Sequence, residues 1–399
     1  MRAIPSSLRL LNQRRVLEQL LAVRSASRAE LAARLDMSRP TAGKIIDELL
    51  EARVVEENPR SEGDSERDDT AQPRGGRPGR TVALEARTPR LVLVQLGVRR
   101  TDVMAVPLAG VTAAARSTSF ATPRSEASFL RKLDEARAQL RLEDAWAFAM
   151  SVPGIYDERE ERCCLSPNLH WIEQVRLVPA IENHWRLPGC GIQEIRALAL
   201  GQLAHEPPGS HFLLVDSHDG VGAAAVVNGV LFEGPLASSG ELGHTLVAGN
   251  QRPCGCGAVG CLETLVSRPG LLATYAQASG TKHPAWEDVL TACEGPLPPW
   301  MNHAIAALAD GIGGALNMMG LGKVVLTGVF DSWPPHAITQ LHEGINRASL
   351  WARLEHVDVA VAPQRRAEGL VRRLFDRVII PKQDRRAHGT NSMTPKSLV

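Results

Sequence analysis

The sequence predicts an α/β protein with a helix-turn-helix at its N-terminus and a metal-binding loop in its second half. Three observations support this class. Three helical segments come first. From Arg90 onward, short apolar runs alternate with helical stretches, which is typical of α/β domains. One later loop concentrates histidine and cysteine.

Length and charge indicate several domains and a basic N-terminal end. A chain of 399 residues exceeds what one hydrophobic core usually serves, and 44% apolar with 22% charged residues excludes disorder of the whole chain. The net charge of +1 conceals basic residues that outweigh acids before residue 51: Arg2, Arg9, Arg14, Arg15, Arg24, Arg28, Arg34, Arg39 and Lys44. We therefore expect a polyanionic partner for this end.

Cysteine usage and hydropathy indicate a cytoplasmic protein. Seven cysteines are an odd number for a disulfide scaffold, the first residues lack an apolar signal core, and no apolar run reaches membrane-spanning length. We expect a reduced, soluble protein without membrane insertion. Four scattered cysteines are interpreted as ordinary core or surface residues: Cys163, Cys164, Cys190 and Cys293.

The sequence pattern at the N-terminus predicts a helix-turn-helix. Apolar residues recur at helical spacing from Leu8 to Leu21, and Ser27 with Glu30 forms a capping box before a short second helix. After a tight turn, Ser38 caps a third helix that starts at Pro40 and is predicted to run to Val55.

The start of the third helix carries the candidate DNA contacts. In a helix-turn-helix the second helix of the motif enters the major groove with its N-terminal residues at the base edges. Here that end offers Ser38, Arg39, Thr41 and Lys44. Arg39 can contact guanine or phosphate, whereas the two hydroxyls suit phosphate oxygens. The alternative is a helical bundle for protein contacts, and the agreement of cap, turn and basic start favours DNA.

Residues 56–80 predict a wing. An acidic stretch, Glu62 to Asp69, is expected to be disordered. Arg74, Arg77 and Arg80 follow, separated by Gly and Pro, and such an extended basic strip suits a narrow minor groove. The alternative is a solvated linker between domains, but the strand-like TVALEA directly after it favours a wing.

The segment GELGHTLVAGNQRPCGCGAVGCLETL predicts a zinc site. Its ligands are His244, Cys254, Cys256 and Cys261. Three thiolates with one imidazole make a closed tetrahedral set, so we expect one structural Zn²⁺ per chain and no catalytic metal. The alternative is a set of reduced cysteines in an ordinary loop.

These residues resemble the ROK family, named for repressors, open reading frames and kinases, from about Leu8 to about Phe375. The zinc segment is the most specific match, and the others are SVPGIYD from Ser151, LSPNLHW from Leu165, ELGH from Glu241 and CLE ending in Glu263. The helix-turn-helix followed by Gly76-Arg77-Pro78 resembles the repressor branch, which includes the xylose and N-acetylglucosamine repressors.

The resemblance implies a two-lobed actin/hexokinase-like, ribonuclease H-like domain of the ATPase type after a winged helix-turn-helix. The expected divisions are a DNA-binding domain at 1–85 with a wing or linker at 56–80, a first lobe at 86–200, a second lobe at 201–380 with the zinc loop at 244–263, and a disordered tail at 381–399.

The resemblance also implies a sugar site. Glu241, His244 and Glu263 match family positions that hold sugar hydroxyls, and Asn168 is a further candidate, although a turn-forming role for this Asn is equally open. An imidazole that binds zinc through one nitrogen can present the other to a hydroxyl. Gln193 and Glu194 stand where the kinases have Asn and the Asp that acts as general base.

Departures from the kinase motifs predict that the domain is not an enzyme. Glu194 is one methylene longer than Asp, and a displacement of about 1 Å can cost on the order of 10²-fold in rate. The first phosphate loop starts with Gln95 in place of Asp, and the second contains Asp219, which would repel a triphosphate unless Mg²⁺ or Arg99 compensates.

The expected function is a transcriptional regulator of carbohydrate genes, most simply a repressor. We expect a homodimer, with a tetramer as the alternative, on a double-stranded palindromic operator, and a small carbohydrate effector. Two alternatives stay open. One is a regulator controlled by a protein of the phosphotransferase-system type, and the other is an active ATP-dependent sugar kinase with a DNA-binding head.

Overall fold

The computed structural model describes residues 5–59, 80–234 and 236–379. Its first elements are α1 (Pro5–Val23), β1 (Ser25–Ser27), α2 (Arg28–Arg34), α3 (Arg39–Glu51), β2 (Val55–Pro59) and β3 (Arg80–Leu84). The strand β3 lies between β1 and β2 in an antiparallel sheet, and the helices share an apolar core with it. We interpret these six elements as the winged helix-turn-helix and call them the head. The acidic stretch, Arg74 and Arg77 of the predicted wing lie outside the described residues, as does the predicted tail.

Local capping explains where the head helices begin. Ser27 Oγ accepts from the backbone N–H of Glu30 at 3.2 Å, and Glu30 Oε2 accepts from the N–H of Ser27 at 2.6 Å, which confirms the capping box. The prediction for the end of α3 was wrong. The helix stops at Glu51 because Arg53 adopts the left-handed region with φ of 56°, and Val55 begins β2.

The first large sheet belongs to the residues that follow the head. Its elements are β4 (Leu91–Leu96), β5 (Arg100–Val106), β6 (Arg116–Ala121), α4 (Glu126–Leu140), β7 (Ala147–Val152), α5 (Leu177–Trp185) and β10 (Gly189–Gln193), with a hairpin of β8 (Ile155–Asp157) and β9 (Arg162–Leu165). The strand order is β10-β7-β4-β5-β6, with β10, β7 and β4 parallel. Helices α4 and α5 cover one face.

The second large sheet repeats this arrangement. Its elements are α6 (Glu194–Leu203), β11 (Phe212–Ser217), β12 (Val221–Val227), β13 (Val230–Leu231), α7 (Glu263–Val266), α8 (Arg268–Ser279), α9 (Trp286–Ala292), α10 (Pro299–Met319), β14 (Lys323–Gly328), α11 (Pro335–Ala348), β15 (Asp358–Val361) and α12 (Arg366–Leu374). The order is β13-β12-β11-β14-β15, with β11, β14 and β15 parallel. Within the described ranges, no helix is both long and apolar enough to cross a membrane.

Two helices cross between the sheets, which form the two lobes. Helix α6 follows β10 of the first sheet but packs on the second, whereas α12 follows β15 of the second sheet but packs on the first. The two helices touch through glycine, because a Cβ at Gly369 would collide with the carbonyl oxygen of Ala197 and one at Gly201 with that of Arg365. The expected lobe boundary at residues 200 and 201 therefore falls inside α6.

A cluster of buried charged side chains stabilises the contact between α6, α12 and the two lobes. Glu158, in the turn after β8, contacts Arg373 of α12, and its Oε1 lies 3.1 Å from Arg196 Nε on α6. The exposed fractions of these side chains are only 5%, 7% and 11%. Arg196 also pairs at 2.9 Å with Glu233 of the second lobe. This cluster, which we call the crossing network, joins both helices to both lobes.

Candidate functional site

A cleft of about 450 Å³ lies between the two lobes. All six residues that the sequence proposed for sugar binding line it: Asn168, Gln193, Glu194, Glu241, His244 and Glu263. The carboxyl ends of the parallel strands open toward it, as in other α/β proteins that bind ligands. The volume is in the range of small-molecule sites.

Side chains along one wall of the cleft contact one another through polar interactions. Gln193 Nε2 donates to Glu241 Oε1 at 2.9 Å, and Glu241 Oε2 lies 3.7 Å from His244 Nε2. Burial raises the pKa of Glu241, and the hydrogen bond from Gln193 acts in the opposite direction. Gln193 is buried, and its Oε1 has no hydrogen-bond partner among the described residues.

Glu263 is positioned from the opposite side of the same wall. It opens α7, and its Oε2 accepts from the backbone N–H of Val221 at 3.0 Å. The approach is close, since a Cβ at Gly220 would lie 2.8 Å from that oxygen. The exposed Asn168 stands on the first-lobe side, next to Pro167, against which Gly255 of the metal loop packs. The predicted sugar residues thus come from both lobes.

The four predicted zinc ligands come together. One donor atom from each of His244, Cys254, Cys256 and Cys261 lies within 4.8 Å of all the others, so the group could hold a metal ion. The Sγ atoms of Cys256 and Cys261 are 3.7 Å apart, and His244 Nδ1 is 3.7 Å from Cys254 Sγ. A tetrahedron with Zn–S bonds of about 2.3 Å has edges of about 3.8 Å, so this spacing fits.

The same geometry assigns the two ring nitrogens of His244. Nδ1 faces the thiols and Nε2 faces Glu241 in the cleft. Burial raises the pKa of the Cys261 thiol to about 12, so a cation is needed to keep it as a thiolate. A metal at this place would therefore fix the ring with Nε2 available to the cleft.

Arg252 organises the metal loop, a role that the sequence did not indicate. Its Nη1 donates to the carbonyl oxygen of Thr264 at 2.9 Å and to Thr274 Oγ1 at 2.6 Å. These contacts tie the loop to the helix α8. An isolated arginine among glycines and cysteines carries no signal that could have predicted its partners.

Arg366 is the most important residue that the sequence analysis missed. It begins α12, and its guanidinium forms an ion pair with the carboxylate of Glu194, which begins α6. Burial raises the pKa of Glu194, and the charge of Arg366 acts against that shift. The residue in the kinase general-base position is therefore held by an internal cation.

Charged and polar side chains contact one another at the end of the cleft that contains Asp216 and Asp219. Arg99 Nε of the first lobe lies 3.8 Å from Asp219 Oδ1 of the second, so Arg99 compensates the charge of Asp219, which is the case in which we expected repulsion of a triphosphate to be relieved. Asp216 accepts from Thr327 Oγ1 and from Gln364 Nε2, each at 2.7 Å. These contacts fill this end with hydrogen bonds internal to the protein.

The head presents the predicted contact residues at its surface. Arg39, Thr41 and Lys44 are exposed at the start of α3, as is Ser38, whose Oγ accepts from the N–H of Thr41 at 3.2 Å. The two hydroxyls lie 2.8 Å apart. Arg80, 68% exposed, contacts Glu57 at 3.3 Å.

Comparison with known proteins identifies the family to which the two lobes belong. A sequence profile of the ROK family matches residues 94–369. The putative xylose repressor of Caldicellulosiruptor sp. (strain Rt8B.4) is 27% identical over 270 residues, 66% of this chain and 65% of that protein. The DNA-binding transcriptional dual regulator NagC of Escherichia coli (strain K12) is 25% identical over 254 residues, 61% of this chain and 59% of its own length. The chain thus spans about 60 to 65% of these relatives.

The likeness to a solved structure shows the fold. A ROK family transcriptional regulator, described as a homolog of the E. coli MLC protein, superposes with a TM-score of 0.73 at 20% identity, over 92% of this chain and 96% of that one. The body of the chain has the actin/hexokinase-like α/β fold that the resemblance implied. Since the family profile starts at residue 94, the structural likeness also extends into the head.

Proposed function

Because this chain belongs to the ROK family, we propose that it is a cytoplasmic, DNA-binding transcriptional regulator, acting as a repressor of carbohydrate genes, whose kinase-like domain senses a sugar without phosphorylating it. The single observation that carries the proposal is the basic, capped start of α3 on a head joined to a cleft whose general-base position is paired with arginine. The two relatives described above are named as a putative xylose repressor and a DNA-binding transcriptional dual regulator.

The head supplies the DNA contacts. Exposed Arg39 and Lys44 meet phosphates or base edges in the major groove, and the linked hydroxyls of Ser38 and Thr41 fix the helix start against the backbone. Arg80 and the wing residues reach the minor groove. A homodimer places two heads on a palindromic operator, since operator symmetry mirrors protein symmetry.

The cleft supplies the sugar contacts. Glu241 and Glu263 accept hydrogen bonds from ligand hydroxyls, Gln193 positions Glu241, and Asn168 contributes from the first lobe. His244 presents Nε2 to the ligand. One structural Zn²⁺, held by this histidine and the three clustered cysteines, fixes the orientation of the ring.

The same cleft lacks the means to transfer a phosphoryl group. A general base needs a free carboxylate within reach of the hydroxyl that it deprotonates. Glu194 is instead paired with Arg366. This pairing favours a binding role over catalysis.

The crossing helix α12 connects the two sites. Its Leu370 and Leu374 share one apolar cluster with head residues such as Val55 and Leu84. A ligand that shifts one lobe relative to the other at Arg366 thereby also shifts the packing of α12 against the head. A coupling of about 1 to 3 kcal/mol would give roughly 5- to 150-fold derepression.

Calorimetric titration of the zinc-loaded protein tests the proposal. We expect heat from one class among monosaccharides, amino sugars and sugar phosphates, at one site per chain, and no heat from ATP with Mg²⁺. Glu241→Ala should weaken sugar binding by at least about tenfold, because hydrogen bonds to a charged group contribute about 1.5 to 3 kcal/mol. The surface variant Glu343→Ala is the matched control. Heat or turnover with ATP would contradict the silent-kinase proposal.

A second candidate is control by a protein partner of the phosphotransferase-system type. The contacts Gln193–Glu241 and Glu194–Arg366 favour it, because they satisfy within the protein groups that a sugar would otherwise meet. If no sugar in the titration produces heat of binding, this second candidate is favoured.

A further inference from the structure

The guanidinium group of Arg366 lines the cleft and already forms an ion pair within the protein. Its Nη2 contacts Glu194 Oε1, and the two side chains keep only 15% and 27% of their surface exposed. A mostly buried charge is stabilised by a neighbouring counter-ion, and removing the counter-ion leaves the charge uncompensated. An incoming anion would therefore have to displace the carboxylate of Glu194.

The other arginines that line the cleft also have partners within the protein. The pairs are Arg99 with Asp219 at 3.8 Å, Arg100 with Asp102 at 2.9 Å, and Arg268 stacked 5.4 Å from the ring centre of Trp286. Arg99 and Arg100 are largely exposed, so water screens them. Arg366 is thus the one cleft arginine with both an acidic partner and a mostly buried side chain among the described residues.

The cleft as a whole is negative. Six carboxylates line it, namely those of Asp102, Glu194, Asp216, Asp219, Glu241 and Glu263, against four guanidinium groups, a formal charge of −2 with both histidines neutral. A divalent metal with three thiolates beside His244 would add a further negative charge. The field therefore opposes any phosphate or carboxylate on a ligand.

Resting on the proposed function, we propose that Glu194 is the specificity-determining residue of the cleft. By pairing with Arg366 its carboxylate occupies the place where an anionic ligand group would bind, so that the cleft takes an uncharged sugar and rejects phosphorylated and acidic ones. The carboxylate of Glu194 thus takes, from within the protein, the place that the anion of a sugar phosphate would take beside Arg366.

Binding of inorganic phosphate tests whether the cleft excludes anionic ligands. Calorimetry and thermal shift should detect no phosphate binding to the wild-type protein at millimolar concentration. Glu194→Gln releases Arg366 and should raise phosphate affinity by at least about tenfold, which corresponds to about 1.4 kcal/mol. Glu194→Gln with Arg366→Met should lose that gain. Glu263→Gln, which adds the same unit of charge to the cleft without freeing an arginine, is the control.

Either of two results would overturn the proposal: phosphate binding by the wild type that Arg366→Met abolishes, or equal phosphate binding by Glu194→Gln and by the double variant. Glu194→Ala repeats the test should the glutamine variant fold poorly, and the thermal unfolding midpoint reports folding in each case. Neither DNA nor sugar enters the experiment. Its failure would leave the regulator proposal standing, and failure of the sugar titration would leave the phosphate result unchanged.

Discussion

Replacing Cys256 with serine is expected to release one zinc ion per chain and to lower the stability of the second lobe. The four candidate ligands belong to one loop that also carries Glu241 and Glu263, so a bound metal would hold together the part of the cleft wall that these residues form. Where free zinc exceeds its dissociation constant by about a thousandfold, loss of binding lowers the free energy of unfolding by about 4 kcal/mol. Metal analysis by mass spectrometry and thermal unfolding measure the two effects.

The control for this variant is Cys164→Ser. Cys164 is exposed and lies outside the cluster, so the substitution should leave the zinc content unchanged and stability within about 0.5 kcal/mol. A purified wild-type protein without stoichiometric zinc would contradict the assignment. Equal unfolding midpoints for the two serine variants would contradict it as well.

Glu158→Ala is expected to destabilise the protein by about 3 to 5 kcal/mol, because it leaves the buried guanidinium group of Arg373 without its carboxylate and Arg196 with Glu233 as its remaining partner. Urea unfolding, followed by tryptophan fluorescence, measures this loss. Glu158→Met with Arg373→Met should be less destabilising than Glu158→Ala, because an apolar pair of similar volume leaves fewer charges buried.

The exposed pair Glu343 and Arg347 provides the comparison. Removing a carboxylate from a solvated pair on one helix should leave the free energy of unfolding nearly unchanged. If Glu158→Ala and Glu343→Ala unfold at the same urea concentration, the crossing network does not hold the lobes together.

Local signals in the sequence predicted the parts of the molecule that local contacts build. The capping box of Ser27 and Glu30 and the cap at Ser38 join residues three apart, so their chemistry is visible in the sequence. The four candidate metal ligands lie in one short segment, and their spacing was sufficient to predict that they come together. The end of α3 was misjudged because apolar Val54 and Val55 fit a helix as well as a strand.

Contacts between distant segments could not be predicted in the same way. Arg366 meets Glu194 only because α6 and α12 start at the same edge of the cleft after leaving different sheets. Glu158 meets Arg373 for the same reason. The family resemblance predicts that Glu194 replaces the base of the kinases, but the cation that pairs with it follows from topology rather than from any motif.

The most direct test of the account is to sequence the genomic DNA fragments that the purified, zinc-loaded protein retains, with and without the sugar that titration identifies. We expect enrichment of palindromic sites near carbohydrate genes, loss of that enrichment with Arg39→Ala, and at least about fivefold less retention when sugar is present. The Arg39→Ala protein should still bind the sugar, since Arg39 lies in the head and outside the cleft. Retention without sequence preference, or equal retention by the Arg39→Ala variant, would contradict the conclusion that this ROK protein is a regulator that binds DNA through its N-terminal head.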